Sequence, residues 1–231
     1  MEAIILAGGK GTRLKKVIKE IPKPLAPING KPFLSYVMDN LIKNNINHFI
    51  ISVGYKKEMI IDYYKKSYKG VKISYAIENN PLGTGGAILN SLSYCKTDYI
   101  YALNGDMYTD YNLNQLILKN NHLTMALIEY NDNDINRFGI VEIDKDYNII
   151  NFLEKDVSSK FNYINGGIYY INKKWYINEF SRLNKFSIEF DVFQKFNNYK
   201  FKGIPQKSYF IDIGIPKSYK KFINLIEKNK I

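Results

Sequence analysis

The chain has 231 residues, with 33 Lys and Arg against 22 Asp and Glu, a formal net charge of +11 and one cysteine. That length builds one large α/β domain over residues 1–231 without requiring a second, and the lack of an apolar run of about eighteen residues or of a basic-then-apolar leader leads us to expect a cytoplasmic protein with no membrane partner. The lysines are spread among Asn, Ile and Tyr rather than gathered into an Arg-rich block, so the charge suits small phosphorylated substrates and no nucleic-acid partner is expected.

Taken in order, an apolar strand at 2–7 runs into the glycine-rich loop Gly8-Gly9-Lys10-Gly11-Thr12-Arg13. A helix over 33–44 follows, with Phe33, Leu34, Val37, Met38, Leu41 and Ile42 as its core stripe and Pro32 at its start. Next come a strand at 48–53, a helix at 57–66, a strand at 71–77, a helix at 84–95 and a strand at 98–103. Such alternation implies right-handed βαβ units. The second half is β-rich at 123–130, 138–144, 147–153 and 163–171, with turn signals at 131–133 and 144–146. Helices at 173–183 and 187–197, the latter capped by Ser187, precede a short strand at 208–213 and a last helix opened by Pro216. The expected fold is therefore a Rossmann-like three-layer α/β sandwich with a mixed, mainly parallel sheet. A small β-rich lobe lies over its carboxyl edge, where open α/β sheets bind ligands.

The chemistry-bearing residues fall at strand ends. Three glycines within four positions (Gly8, Gly9, Gly11) let backbone N–H groups approach an anion, and the loop fits neither the P-loop nor the dinucleotide template. A plain strand-ending glycine turn is the competing reading. Arg13 and Lys23 supply mobile positive charge, Lys23 as an exposed loop lysine. Asp106, just past the 98–103 strand, is the strongest metal-ligand candidate, against a turn-capping aspartate as the alternative. Asp212 repeats the pattern of apolar strand, carboxylate and glycine, and two such carboxylates suit one Mg²⁺. Glu78 and the second glycine cluster, Gly83-Thr84-Gly85-Gly86, would let a base or ribose lie against backbone. The alternative for Glu78 is a solvated acid. His48 and His122 are isolated and are read as structural, while Cys95, spaced helically with Ile88 and Leu92, is read as a core residue.

Leu6-Ala-Gly-Gly-Lys-Gly-Thr-Arg-Leu14, Pro22-Lys-Pro24, Pro81-Leu-Gly-Thr-Gly-Gly-Ala87, Asn104-Gly-Asp106, Glu154-Lys155, Asn165-Gly-Gly167 and Asp212-Ile-Gly214 together resemble the sugar-1-phosphate nucleotidylyltransferases over roughly residues 1–222. Within that family the wording is most similar to the D-glycero-D-manno-heptose 1-phosphate guanylyltransferases. The resemblance implies that GMP passes from GTP to a sugar 1-phosphate, pyrophosphate is released, and the activated sugar serves cell-surface polysaccharide. It further implies a nucleotide site of Leu6, Ala7, Gly8, Gly9, Gly11, Thr12, Arg13, Glu78, Leu82, Gly83 and Thr84. Arg13, Lys23 and Asp106 would be catalytic, and Asp106 and Asp212 would hold Mg²⁺. Asn104, Gly105, Glu154, Lys155, Asn165 and Gly166 would bind the sugar phosphate. A homodimer is compatible with this picture. Other bases, a glycosyltransferase that consumes a nucleotide sugar, and a non-catalytic nucleotide-sugar sensor are the competing functions.

Overall fold

The structure, a computed structural model, describes residues 1–14, 17–18, 20–130, 135–154 and 163–228. Its parallel centre is made by four apolar strands, Glu2–Leu6, His48–Val53, Val71–Ile77 and Tyr99–Asn104. Glu2–Leu6 lies between His48–Val53 and Tyr99–Asn104, and Val71–Ile77 lies beyond His48–Val53, all in parallel register. Side chains of Glu2–Leu6, His48–Val53 and Tyr99–Asn104 alternate between two cores, which is why these segments read as largely continuous apolar runs, whereas Val71–Ile77, nearer the edge, alternates Val71, Ile73 and Tyr75 with Lys72 and Ser74. Ala3 and Ile5 face one core with α1 (Phe33–Lys43), α2 (Lys57–Tyr64) and α5 (Pro216–Glu227), through Phe33, Val37, Ile60 and Phe222. Ile4 and Ile50 face the other with α3 (Gly83–Ser91) and α4 (Lys173–Phe180), through Ile88, Tyr176 and Phe180. Each such buried Ile, Leu or Phe contributes about 1.5–3 kcal/mol relative to exposure, so the three layers are held by two apolar seams.

The second half extends this sheet in antiparallel fashion. Tyr163–Asn172 pairs with Tyr99–Asn104 and with Leu123–Glu129, and meets Gly139–Ile143 at Ile140↔Ile164. Ile149–Glu154 then pairs with Gly139–Ile143 to give the outer β-rich lobe. The register of Tyr163–Asn172 shifts between Asn165 and Tyr169, where Gly167 has φ +66°. A Cβ on Gly166 would lie 2.9 Å from the Ala126 carbonyl oxygen, so the bulge needs a bare backbone there.

Three elements differ from expectation. Phe201–Gln206 is a strand, parallel to Leu123–Glu129. Gly203 and Pro205 read as strand breakers, yet a Cβ at Gly203 would lie 2.6 Å from the Leu127 side chain, so the glycine serves close packing. The helix expected at 187–197 is instead a π-type turn, Ile188–Val192, followed by a 3₁₀ segment, Phe193–Asn198, with a kink at Lys195. The wide turn brings Ile188 and Phe193, five residues apart, into the same core. Ser187 caps the turn as expected, its Oγ accepting from the Glu189 and Phe190 N–H groups. Finally, only Phe210–Asp212 of the 208–213 segment is strand, and it pairs with Met107–Thr109 in a separate ribbon.

Candidate active site

After Glu2–Leu6 the chain fills one side of the sheet, and it later returns to place Tyr99–Asn104 on the other side. Diverging connections leave a crevice at the carboxyl ends of these two strands. The glycine loop folds into it: the Ala7 N–H donates to the Ser52 carbonyl at 2.9 Å and Tyr55 N–H to the Gly8 carbonyl at 3.1 Å. Gly11 has φ +58° with Lys23 Cβ against it and so requires glycine, and a Cβ on Gly8, 2.4 Å from Glu78 Oε1, would displace the Glu78 carboxylate. The resulting cavity, about 450 Å³, is lined by Leu6, Ala7, Gly8, Gly9, Gly11, Thr12, Arg13, Lys23, Glu78, Gly83, Thr84, Asn104, Gly105 and Asp106. Pro24, Pro81, Ala87 and Gly214, named in the motifs but not assigned to the site, complete its wall.

A chain of charges closes the crevice. The Lys23 ammonium donates to Asp106 Oδ2 at 2.5 Å and lies 3.6 Å from Asp212 Oδ1. The two aspartates meet because Asp212 pairs with Met107 and the Ile213 N–H donates to the Asp106 carbonyl at 3.0 Å. Asp212 Oδ2 accepts from Arg137 at 3.0 Å, and its Oδ1 accepts from the Gly214 N–H. Burial, then the charge of Asp106, pushes the Asp212 carboxyl above its ordinary value, while Lys23, Gly214 and Arg137 oppose the shift. Lys23 is therefore not the exposed loop lysine expected from the sequence: its side chain is 9% exposed. It sits in a 3₁₀ turn, Lys23–Leu25, that turns its side chain into the acidic pair. Among the described residues no group of three or more His, Cys, Asp or Glu is gathered. A pair of carboxylates drawn to one cation nevertheless fits Mg²⁺, which takes one or two carboxylates and completes its shell with phosphate and water.

A model of the nucleotidyl transferase family matches residues 2–229. The chain belongs to the nucleotidyl transferase family. A D-glycero-alpha-D-manno-heptose 1-phosphate guanylyltransferase of Campylobacter jejuni subsp. jejuni is 45% identical over 223 residues, covering 96% of this chain and 99% of its own. One from Aneurinibacillus thermoaerophilus is 43% identical over 226 residues, covering 96% of each chain. The crystal structure of HddC from Yersinia pseudotuberculosis complexed with GMP-PN has a TM-score of 0.85 at 38% identity, covering 97% of this chain and 99% of that one.

In this nucleotidyl transferase the second glycine cluster has a packing purpose beside the one expected. The Gly85 and Gly86 N–H groups both donate to the Phe186 carbonyl, at 3.0 and 3.2 Å, and Phe186 N–H donates to the Leu82 carbonyl at 3.0 Å. Cβ atoms on Gly83 and Gly85 would lie 2.4 and 2.3 Å from Phe186 atoms, so these glycines also admit a neighbouring protein segment. Gly83 still reaches the cavity wall. Thr84 Oγ donates to Glu189 at 2.6 Å and accepts from Ile188 N–H at 3.0 Å, tying α3 to the same segment. Leu82 does not line the cavity; its N–H donates to Glu78 Oε2 at 3.2 Å. Glu78 is not a solvated acid, because Ser52 Oγ donates to its other oxygen at 2.9 Å.

The residues expected on the sugar side are placed less uniformly. Asn165 is buried away from the cavity; it donates to Tyr169 Oη at 2.9 Å and accepts from Gly167 N–H at 2.9 Å, so its amide braces the bulge. Gly166 lines a separate narrow cleft with Asn104 and Met107. Glu154 ends its strand opposite Gly139, and Lys155 lies outside the described residues. Arg137 was missed. It is one of only three arginines in the chain, and no flanking motif marked it. The remaining titratable groups are structural as expected. His48 sits between Glu2 at 2.8 Å and Ser74 at 2.9 Å, His122 stacks on Trp175 at 5.0 Å, and burial pushes the Cys95 thiol up to about 12.

Proposed function

We propose that the protein transfers GMP from GTP to D-glycero-α-D-manno-heptose 1-phosphate and releases pyrophosphate. The relatives of nearly equal length and the GMP-PN complex of HddC support the base and sugar. The single observation that carries the chemistry is the convergence of the glycine loop with Arg13, Lys23, Asp106 and Asp212 at the switch point of the sheet. In this reading the loop amides of Gly8, Gly9 and Gly11 hold the triphosphate with Leu6, Ala7 and Thr12 beside them. Arg13 neutralises the leaving pyrophosphate. Lys23 follows charge onto the α-phosphoryl group as the sugar phosphate oxygen attacks it. Catalysis is then positioning and charge stabilisation in a preformed cavity, with no covalent enzyme intermediate. Asp106 and Asp212 would hold Mg²⁺, which supplies Lewis-acid stabilisation of phosphoryl oxygens.

Glu78, fixed by Ser52 and Leu82, retains a second acceptor position on each oxygen. Guanine offers adjacent N1–H and N2–H₂ donors to such a group, whereas uracil offers one and adenine and cytosine lack the pair. On the sugar side, Asn104, Gly105, Glu154, Lys155, Asn165 and Gly166 complete the reading, Asn165 and Gly166 from the bulge of their strand. No helix among the described residues is long and apolar enough to cross a membrane, and we place the reaction in the cytoplasm. Homodimer formation belongs to the same proposal and is checked by sedimentation.

The test is incubation with Mg²⁺, each of four nucleoside triphosphates and a panel of sugar 1-phosphates, with pyrophosphate release as readout. Fastest release with GTP and the heptose phosphate is expected. Faster turnover with UTP, CTP or dTTP would overturn the base, and no release with any pair would favour a nucleotide-sugar sensor.

A further inference from the structure

Asp212 has two cationic neighbours of different kinds. Lys23 is shared, and it stands closer to Asp106 at 2.5 Å than to Asp212 at 3.6 Å. Arg137 contacts Asp212 at 3.0 Å, and its other terminal nitrogen donates to Ser218 Oγ at 3.3 Å in the first turn of α5. The guanidinium also lies over the Phe138 ring, 5.2 Å from its centroid. It is therefore fixed from two elements before it reaches the carboxylate. Its side chain is 15% exposed, and it is not part of the cavity wall.

The two oxygens of Asp212 thus have separate tasks. Oδ2 is held by Arg137, while Oδ1 takes the Gly214 N–H and faces the Lys23 ammonium. We propose that Arg137 is a positioning residue: it clamps Asp212 so that one defined oxygen is presented to the cation between the two aspartates. It does not touch substrate. A planar, permanently charged fork suits this task, because a lysine cannot hold a carboxylate and a hydroxyl in one plane. Arg137 also directly precedes Phe138 and Gly139, and Gly139 pairs with Glu154, so the clamp joins the outer strand pair to the acidic site. The proposal rests on the reading of Asp212 as a metal-site carboxylate.

The test compares wild type, Arg137→Met, Arg137→Lys and Asp212→Asn. Binding of Mn²⁺ to the protein with GTP is read by the enhancement of water-proton relaxation, which separates the protein-bound ion from Mn²⁺–GTP in solution, and melting is followed in parallel. Arg137→Met is expected to weaken Mn²⁺ binding by about 10–100-fold, as when the partner that orients a metal ligand is lost. Arg137→Lys should recover only part of the loss, and added guanidinium ion should restore Arg137→Met but not Asp212→Asn. Arg137→Met that binds Mn²⁺ like wild type overturns the clamp, as does full recovery by lysine. If Arg137→Met unfolds, the lysine variant decides alone: wild-type Mn²⁺ binding overturns the clamp, and weakened binding with wild-type melting supports it. Normal Mn²⁺ binding by Asp212→Asn instead defeats the metal reading of Asp212, and with it the clamp. Failure of wild type to release pyrophosphate defeats the catalytic reading and leaves the Mn²⁺ comparison to judge the clamp.

Discussion

Replacing Lys23 by methionine keeps its length and apolar stem but leaves Asp106 and Asp212 without the cation between them. At 3.6 Å and an effective dielectric of about 20, the Lys23–Asp212 attraction alone is roughly 4–5 kcal/mol before desolvation is subtracted. Breaking a fully buried pair costs about 3–5 kcal/mol. Here Asp106 is 38% exposed and Arg137 remains on Asp212, so solvent and the second cation reduce the loss to about 1–3 kcal/mol. For a chain of this size that corresponds to a melting temperature about 3–9 °C lower. Scanning fluorimetry in chelator reads this directly. Excess Mg²⁺ should then raise the melting point of Lys23→Met more than that of wild type, because the ion no longer competes with an internal ammonium. Equal melting of the two proteins in chelator would refute the buried pair. Equal response to Mg²⁺ would refute the competition.

Asp106→Asn and Asp212→Asn should each lower kcat by about two to four orders of magnitude in the pyrophosphate assay while leaving the fold intact by circular dichroism. For Glu2, burial would raise the carboxyl, but hydrogen bonds from His48, Thr97 and Lys96 outweigh it and bring it from 4.5 down to about 2. Its folded value being depressed, Glu2 contributes about 3 kcal/mol above pH 4.5 that is lost as pH falls towards 2. Glu2→Gln should therefore narrow the stability gap to wild type across that window in acid titrations of urea unfolding. Glu78→Gln should reduce the preference for GTP over UTP by about 1–3 kcal/mol, measured as a ratio of kcat/KM. Gly83→Ala combines φ +75° with a Cβ 2.4 Å from the Phe186 carbonyl, and should lower the melting temperature as well as weaken nucleotide binding.

The parts of the fold that were legible are those where local signals and packing agree. Glu2–Leu6 is an apolar run ended by glycine, and α1 carries its stripe of Phe33, Leu34, Val37 and Met38 straight into the core. Phe201–Gln206 was not legible, because Gly203 and Pro205 carry breaker chemistry that edge pairing with Leu123–Glu129 overrides. Likewise, the glycine loop was legible as a strand-end turn facing the crevice, whereas the burial of Lys23 could not be read locally. It depends on Asp212, which is 189 positions away in the chain. Arg137 was invisible for the same reason: its partners, Asp212 and Ser218, are 75 and 81 positions distant. The packing role of the second glycine cluster was not legible, since nothing near Gly85 foretells that Phe186 will lie against it.

The ribbon of Met107–Thr109 with Phe210–Asp212 sets a time order on the birth of the protein. The four central parallel strands and the glycine loop all lie within the first 104 residues and can pair as they leave the ribosome. The acidic pair cannot assemble until residue 212 has been synthesised and has returned across the whole β-rich half to meet Met107. Contacts of such separation form late, after shorter-range ones have restricted the chain. A nascent chain would thus acquire the glycine loop well before it acquires the carboxylates opposite it. The cavity gains its acidic pair only when nearly the whole chain has been made.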